Sequence, residues 1–252
     1  MNTAPRQALQ ALQDFPPPSP SIAVVIPAWN EELSIGEVIR HIPPDLNARV
    51  IVCDNASTDR TAARAAECGA IVVREEERGY GAACLRALQE AYRHAPDILV
   101  FIDADYSDTP EEMPLLLAPI LANEADLVIG SRSLGMQAGK VEQGALLPQA
   151  RFGNWLATWL LRRIWGAHFT DLGPFRAIRR TTLERLQMRD RNFGWTVEMQ
   201  IKAAREKDIR CAEVPVSYRA RIGVSKITGT LSGSIRAGYK ILWTIARYSL
   251  FR

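Results

Sequence analysis

Short apolar runs rich in β-branched residues recur between segments of helical length through the first half of the chain, and few folds can use that rhythm. The runs cover residues 22–26, 50–53, 70–73, 98–102 and 127–129, and the spacers cover 31–42, 59–68, 81–94 and 110–121. Strands alternating with helices predict an α/β fold built on a doubly wound, mostly parallel sheet. Runs without polar interruption predict strands covered by helices on both faces. After Ser131 the rhythm changes. Residues 133–150 contain three glycines and a proline with little periodicity, which reads as a long mobile loop. A Trp-rich helix over 151–165, a strand over 175–178, a helix near 196–206 and a strand around 214–218 follow. The organisation predicted is a flexible, proline-rich tail over 1–20, one domain over 21–230, and an amphipathic helix over 231–252.

Composition removes several classes of function. Apolar content of 47% and charged content of 23% are those of an ordinary globular protein. A net charge of +3 does not call for a nucleic-acid partner. Cys53, Cys68, Cys84 and Cys211 form no CxxC pair and read as reduced thiols of a cytoplasmic protein. His41, His94 and His168 are not spaced for zinc. No signal peptide precedes Pro16 and no apolar run has the length of a spanning helix, so membrane contact is expected to be peripheral.

In open α/β sheets ligands bind beyond the carboxyl ends of the strands, and polar residues stand at four such places. Pro27-Ala28-Trp29-Asn30-Glu31-Glu32 follows the first run, with Asn30 placed to cap an acidic first helical turn. Asp54 closes the second run, where a carboxylate can accept from a base or a ribose, or cap; Ser57 and Asp59 serve the next helix start. Arg78-Gly79-Tyr80-Gly81 is a glycine turn opening a helix, either a phosphate cradle or merely a turn. The fourth run leads into Asp103-Ala104-Asp105. Side chains two apart in an extended segment face the same way, and like charges so placed are costly unless a cation lies between them. Hard oxygen ligands suit Mg²⁺ or Mn²⁺, with a substrate diphosphate completing the shell.

The ordered strings PAWNEE, CDNASTD, RGYGAA, DAD and GSR (Gly130-Ser131-Arg132) resemble glycosyltransferase family 2, and the resemblance covers nearly all of residues 21–230. Thr170-Asp171-Leu172-Gly173-Pro174-Phe175-Arg176, Val214-Pro215-Val216-Ser217-Tyr218-Arg219 and Gly223-Val224-Ser225-Lys226 resemble the polyprenyl-phosphate branch that includes dolichol-phosphate mannose synthase. The resemblance implies a GT-A fold and an inverting transfer of a hexose from a UDP-glucose or GDP-mannose type donor to a lipid phosphate. It further implies that Pro27, Ala28, Asn30 and Glu32 line the nucleotide pocket and that Asp54 contacts the base; Gly79, in the glycine turn, is the donor-binding candidate read from the turn itself. Asp103 and Asp105 would bracket the metal. Arg132 and Lys226, and less directly Arg176, would steady phosphate, and Asp171 would sit by the reacting centre. Ser107 stands where the branch usually has Gln; it is expected either to reach the metal or to cap the helix near Pro110.

A lipid phosphate is already anionic and needs no general base, whereas an alcohol acceptor would need one, for which Asp171 and Glu198 are the candidates. Phe152, Trp155, Leu156, Trp159, Leu160 and Trp165, beside Arg162 and Arg163, suit either a buried helix or a membrane interface. Ile235, Tyr239, Leu242 and Ala246 form one stripe of the last helix, with Arg236, Lys240 and Arg247 nearby, and suit the inner face of an anionic membrane. A haloacid-dehalogenase-type phosphohydrolase also places Asp-x-Asp after an apolar strand, but near the chain start and with Thr or Val where Ser107 stands. No GxGxxG follows the first run, which disfavours a dinucleotide dehydrogenase.

Overall fold

The computed structural model describes residues 20–223 and 231–250, with side chains from 236 onward in the latter segment. Lys226 and nearly all of the expected tail lie outside the described residues. Among the described residues, seven strands form one sheet: β1 (Ile22–Ala28), β2 (Arg49–Asp54), β3 (Ile71–Arg74), β4 (Ile98–Phe101), β5 (Leu127–Ser131), β6 (Arg176–Arg179) and β7 (Cys211–Pro215). Their order is β3-β2-β1-β4-β6-β5-β7, and only β6 runs antiparallel to its neighbours.

The unbroken apolar strands do have both faces covered. Val24 and Ile26 point into one core, with Ile35, Val38, Met113 and Leu116. Ala23 and Val25 point into the other, with Ala83, Ala87, Leu161, Trp195 and Ile245. The first core is closed by α1 (Ile35–Arg40) and α4 (Met113–Leu121). The second is closed by α3 (Tyr80–Tyr92), α6 (Pro148–Trp165), α8 (Trp195–Arg205) and α9 (Leu231–Leu250). The shorter helices are α2 (Thr61–Glu67), α5 (Arg132–Gln137) and α7 (Arg180–Leu186).

Three expectations are revised. The first helix starts at Ile35 rather than near Glu31, because Asn30 adopts a left-handed φ of 53° and binds a neighbouring loop instead of capping. Part of the segment expected as a loop over 133–150 is helical: Ser131 Oγ accepts from the Leu134 N–H at 3.0 Å and starts α5. That cap pattern is one turn long and carries no periodic signal. The helix expected at Arg151 begins at Pro148, whose fixed φ suits a first helical position, and it ends on Gly166 in the left-handed region.

Helix α9 packs against α6 and α8 with Thr244 and Ile245 buried and Ile241 and Tyr248 half-buried. The apolar stripe expected to be its binding face, Tyr239, Leu242 and Ala246, is the side turned to solvent; the side chain of Ile235 lies outside the described residues.

Candidate active site

The carboxyl ends of β1, β2 and β4 open onto a cleft of about 370 Å³, the position a doubly wound sheet reserves for ligands. Pro27, Ala28, Gly79, Asp103 and Asp105 line it, as do Trp29, Asn55, Arg78, Tyr80 and Arg221. Asn192 and Phe193 close one wall, and Arg236 reaches it from α9.

Each aspartate of the Asp-x-Asp segment is held by its own donor. The Tyr80 hydroxyl donates to Asp103 Oδ1 at 3.0 Å. The Ser107 hydroxyl and N–H donate to Asp105 Oδ1 at 2.6 and 2.9 Å. Arg221 Nη2 stands 3.2 Å from Asp105 Oδ2 and 3.1 Å from Glu31 Oε1. Ser107 therefore acts on Asp105, and the following 3-10 turn over Pro110–Glu112 has Thr109 at its cap position without a side-chain bond. Burial, reinforced by the charge of Asp105, raises the Asp103 carboxyl to about 7. Asp108, three residues beyond Asp105 in the chain, is buried at 1% exposure, and both its oxygens lack a hydrogen-bond partner among the described residues. Burial first, then the Asp103 charge, pushes it well above the usual range.

Two carboxylates two residues apart at the same cleft, Asp105 buried and Asp103 half-buried, fit a hard divalent cation. Among the described residues, however, no three His, Cys, Asp or Glu side chains are grouped to hold a metal by themselves. A cation held by Asp103 and Asp105 would complete its shell from a substrate.

The other expected residues fall into two groups. Asp54 is buried beside the cleft; it accepts from the Ser57 N–H at 3.1 Å and pairs with Arg74 at 3.2 Å. Asn30 and Glu32 knit the β1 loop to the β2 loop: Asn30 Oδ1 accepts from the Thr58 N–H at 2.8 Å, and Glu32 Oε2 from the Arg60 N–H at 3.0 Å. On the far side Asp171 accepts from Arg132 through its N–H, Nε and Nη2 at 2.7, 2.9 and 2.7 Å, a bidentate pair that fixes the guanidinium over the Tyr218 ring. Arg176 is fully buried, donates to the carbonyls of Gly173, Leu172 and Thr196, and is pulled down to about 10 by burial. It fixes the backbone ahead of β6. Glu198 is buried and receives the N–H groups of Arg189 and Asp190, the Lys202 ammonium and the Tyr248 hydroxyl.

The glycine turn is not an open phosphate cradle. Gly79 donates to Asn55 Oδ1 at 2.9 Å, and the Ala82 N–H in the first turn of α3 goes to the Arg191 carbonyl at 2.8 Å. A Cβ on Gly79 or Gly81 would lie 2.1 Å from the Arg191 carbonyl oxygen or 1.9 Å from that of Asp190. The glycines let the loop before α8 lie on the turn and form the cleft wall. Reading the sequence missed Asn55, Asp108, Arg221 and the Asn192–Phe193 wall. Asn55 stood inside a string already singled out and Asp108 directly after Ser107, whereas nothing local marks residues 192–193.

Comparison with known proteins agrees with this geometry. Residues 23–186 match Glycosyl transferase family 2. An uncharacterized glycosyltransferase of Mycobacterium tuberculosis is 38% identical over 219 residues, 86% of this chain and 94% of the relative. The undecaprenyl-phosphate mannosyltransferase of Micrococcus luteus is 32% identical over 228 residues, 84% and 89% of the two chains. Glucosyl-3-phosphoglycerate synthase of Mycobacterium tuberculosis, solved with Mn²⁺, uridine diphosphate and phosphoglyceric acid, superposes with a TM-score of 0.72 at 25% identity, over 96% of this chain and 82% of that one. With the sheet order, the cleft and the Asp-x-Asp segment in place, these matches establish the chain as a member of glycosyl transferase family 2, a glycosyltransferase of GT-A fold.

Proposed function

We propose that this enzyme is an inverting hexosyltransferase that moves a hexose from a nucleotide-diphosphate sugar, of the UDP-glucose or GDP-mannose type, to a polyprenyl-phosphate-like lipid. The observation that carries the reading is the pair Asp103 and Asp105 facing the cleft at the end of β4, each oriented by its own hydroxyl donor. Bound between them, Mg²⁺ or Mn²⁺ would offset the negative charge that develops on the departing diphosphate. Pro27, Ala28 and Gly79 form the nucleotide wall, and Asp54, beside it, is the group proposed for the base. Asn30 and Glu32 act by fixing the loop that carries this wall.

In the transfer, the anomeric carbon–diphosphate oxygen bond breaks as an acceptor phosphate oxygen bonds to the opposite face of that carbon. The nucleoside diphosphate leaves. An anionic acceptor brings no proton to remove, and the site agrees with that chemistry: Asp171 is occupied by Arg132, and Glu198 by four donors. Arg132, oriented by Asp171, is proposed to hold phosphate, with Lys226 as its counterpart. The lipid acceptor is supported by relatives named for undecaprenyl-phosphate and dolichyl-phosphate transfer. A lipid acceptor accords with the location we propose, a cytoplasmic enzyme at the inner face of the membrane. No helix among the described residues is long and apolar enough to cross a membrane.

The likeness to a synthase solved with phosphoglyceric acid supports a second reading, a small hydroxylated acceptor. One assay separates the two: transfer of labelled hexose to undecaprenyl phosphate or to 3-phosphoglycerate, with Mn²⁺ or with excess chelator. Transfer to the lipid phosphate is expected, lost in chelator and lowered about a thousandfold or more in Asp105→Ala. A folded Asp105→Ala enzyme of full activity would exclude the diphosphate–metal site.

A further inference from the structure

Two helices on the second face of the sheet turn aromatic residues outward. On α6, Phe152, Trp155 and Trp159 are exposed at 62%, 57% and 49%, while Ala157, Thr158 and Leu161 face the core. Positions 152, 155 and 159 fall on one helical stripe. Arg151 and Arg162 border that stripe on one side and Arg163 on the other, all exposed. On α9 the exposed stripe is Tyr239, Trp243, Ala246 and Leu250, with Arg236 and Arg247 along its edge. The two helices pack on each other and bury their opposite sides in the same core, so the stripes stand on one side of the molecule.

Isolated exposed apolar residues need no explanation, but two aromatic stripes edged by cations on neighbouring helices do. Trp and Tyr with arginines at the margin form the arrangement that settles at the boundary of headgroups and acyl chains, where arginine reaches phosphate while its stem stays in the apolar layer. A rim of arginines without acidic partners on the stripes complements an anionic lipid surface.

Arg236 belongs to two surfaces. It edges the α9 stripe and it also lines the cleft that holds Asp103 and Asp105. The same helix is anchored to the cleft wall: Lys240 pairs with Asp190 at 3.0 Å, and the Tyr248 hydroxyl donates to Glu198 at 2.6 Å, next to the loop carrying Asn192 and Phe193. We propose that α6 and α9 together form a docking face for an anionic bilayer, and that Arg236, at its junction with the cleft, receives the phosphate of the membrane-held acceptor. The Arg236 clause rests on the lipid-phosphate reading above; the docking face does not.

The experiment uses the full chain and phosphatidylcholine vesicles with or without phosphatidylglycerol, carrying undecaprenyl phosphate, plus a short water-soluble prenyl phosphate as second acceptor. Wild type is expected to co-sediment with the anionic vesicles. Trp155→Ser/Trp243→Ser, both at exposed positions, should bind them about tenfold more weakly and lose vesicle-bound transfer while keeping transfer to the soluble acceptor. Arg236→Gln should raise KM about tenfold for both acceptors with donor affinity unchanged, and Arg236→Lys should recover part of the loss. Unaltered sedimentation of the tryptophan variant overturns the docking face. An unaltered acceptor KM in Arg236→Gln, with wild type active on prenyl phosphate, overturns the phosphate role and leaves the function standing. Should wild type transfer to no prenyl phosphate, the lipid-acceptor reading falls together with the Arg236 clause, and sedimentation alone then decides the docking face.

Discussion

At the scale of single residues, the site is a set of carboxylates each given a direction by a neighbour. Tyr80 is the instructive case, because its position in the Arg78-Gly79-Tyr80-Gly81 turn suggested phosphate chemistry, whereas its hydroxyl donates to Asp103 Oδ1. A ligand carboxylate with one oxygen so held presents the other in a fixed direction, and losing such a partner typically weakens metal binding about ten- to a hundredfold. Tyr80→Phe keeps the ring that packs on the core. It should therefore leave the melting temperature near wild type while raising the Mn²⁺ concentration needed for nucleotide binding by about tenfold. A Mn²⁺ titration followed by electron paramagnetic resonance in the presence of nucleotide checks this. An unchanged midpoint would show that Asp103 does not need the hydroxyl. The aspartates themselves were legible in sequence, since a carboxylate pair after a buried strand has few structural uses. Their partners were not: the Tyr80 and Arg221 contacts join residues distant in the chain.

At the scale of elements, the strands were easy to read and the loops that wall the site were not. Short, β-branched apolar runs alternating with helix-length spacers read as strands, and five of the seven strands among the described residues followed from that rhythm, although the equally apolar α4 is helical. Strand β6 was also placed, but nothing in its four residues dictates that it runs antiparallel between β4 and β5. The loop before α8 becomes part of the cleft because Gly79 and Gly81 let its carbonyls come close. Gly81→Ala would put a methyl 1.9 Å from the Asp190 oxygen, and the backbone there must move. The expected cost is about 1–3 kcal/mol of stability. Displacing Asn192 and Phe193 from the wall should also shrink the rise in melting temperature that a nucleotide sugar produces. Thermal unfolding with and without donor measures both, and a variant as stable and as responsive as wild type would refute the packing role of the glycine.

At the scale of the whole molecule, α9 closes the second core and ties the end of the chain to the cleft wall through Glu198. Burial would raise that carboxyl, but the Tyr248 hydroxyl, Lys202 and the Asp190 N–H outweigh it and hold the group below its usual 4.5. A carboxylate depressed in the folded state adds stability that is present above its unfolded pKa and is lost as pH falls through the folded one. Stability should therefore decline as pH drops below about 4.5. Tyr248→Phe should remove about 1–2 kcal/mol at neutral pH and flatten that decline, as read by denaturant unfolding across the acid range. An identical pH profile in the variant would separate Glu198 from acid stability. The sequence by itself determined the alternating layers, the ligand end of the sheet and the paired aspartates, because periodicity and residue chemistry act locally. Only the tertiary structure decided the antiparallel β6, the wall at Asn192 and Phe193, the outward aromatic stripes, and the commitment of Asp171 and Glu198 to ion pairs. Those follow from which surfaces meet when distant segments pack, and no local pattern encodes that meeting.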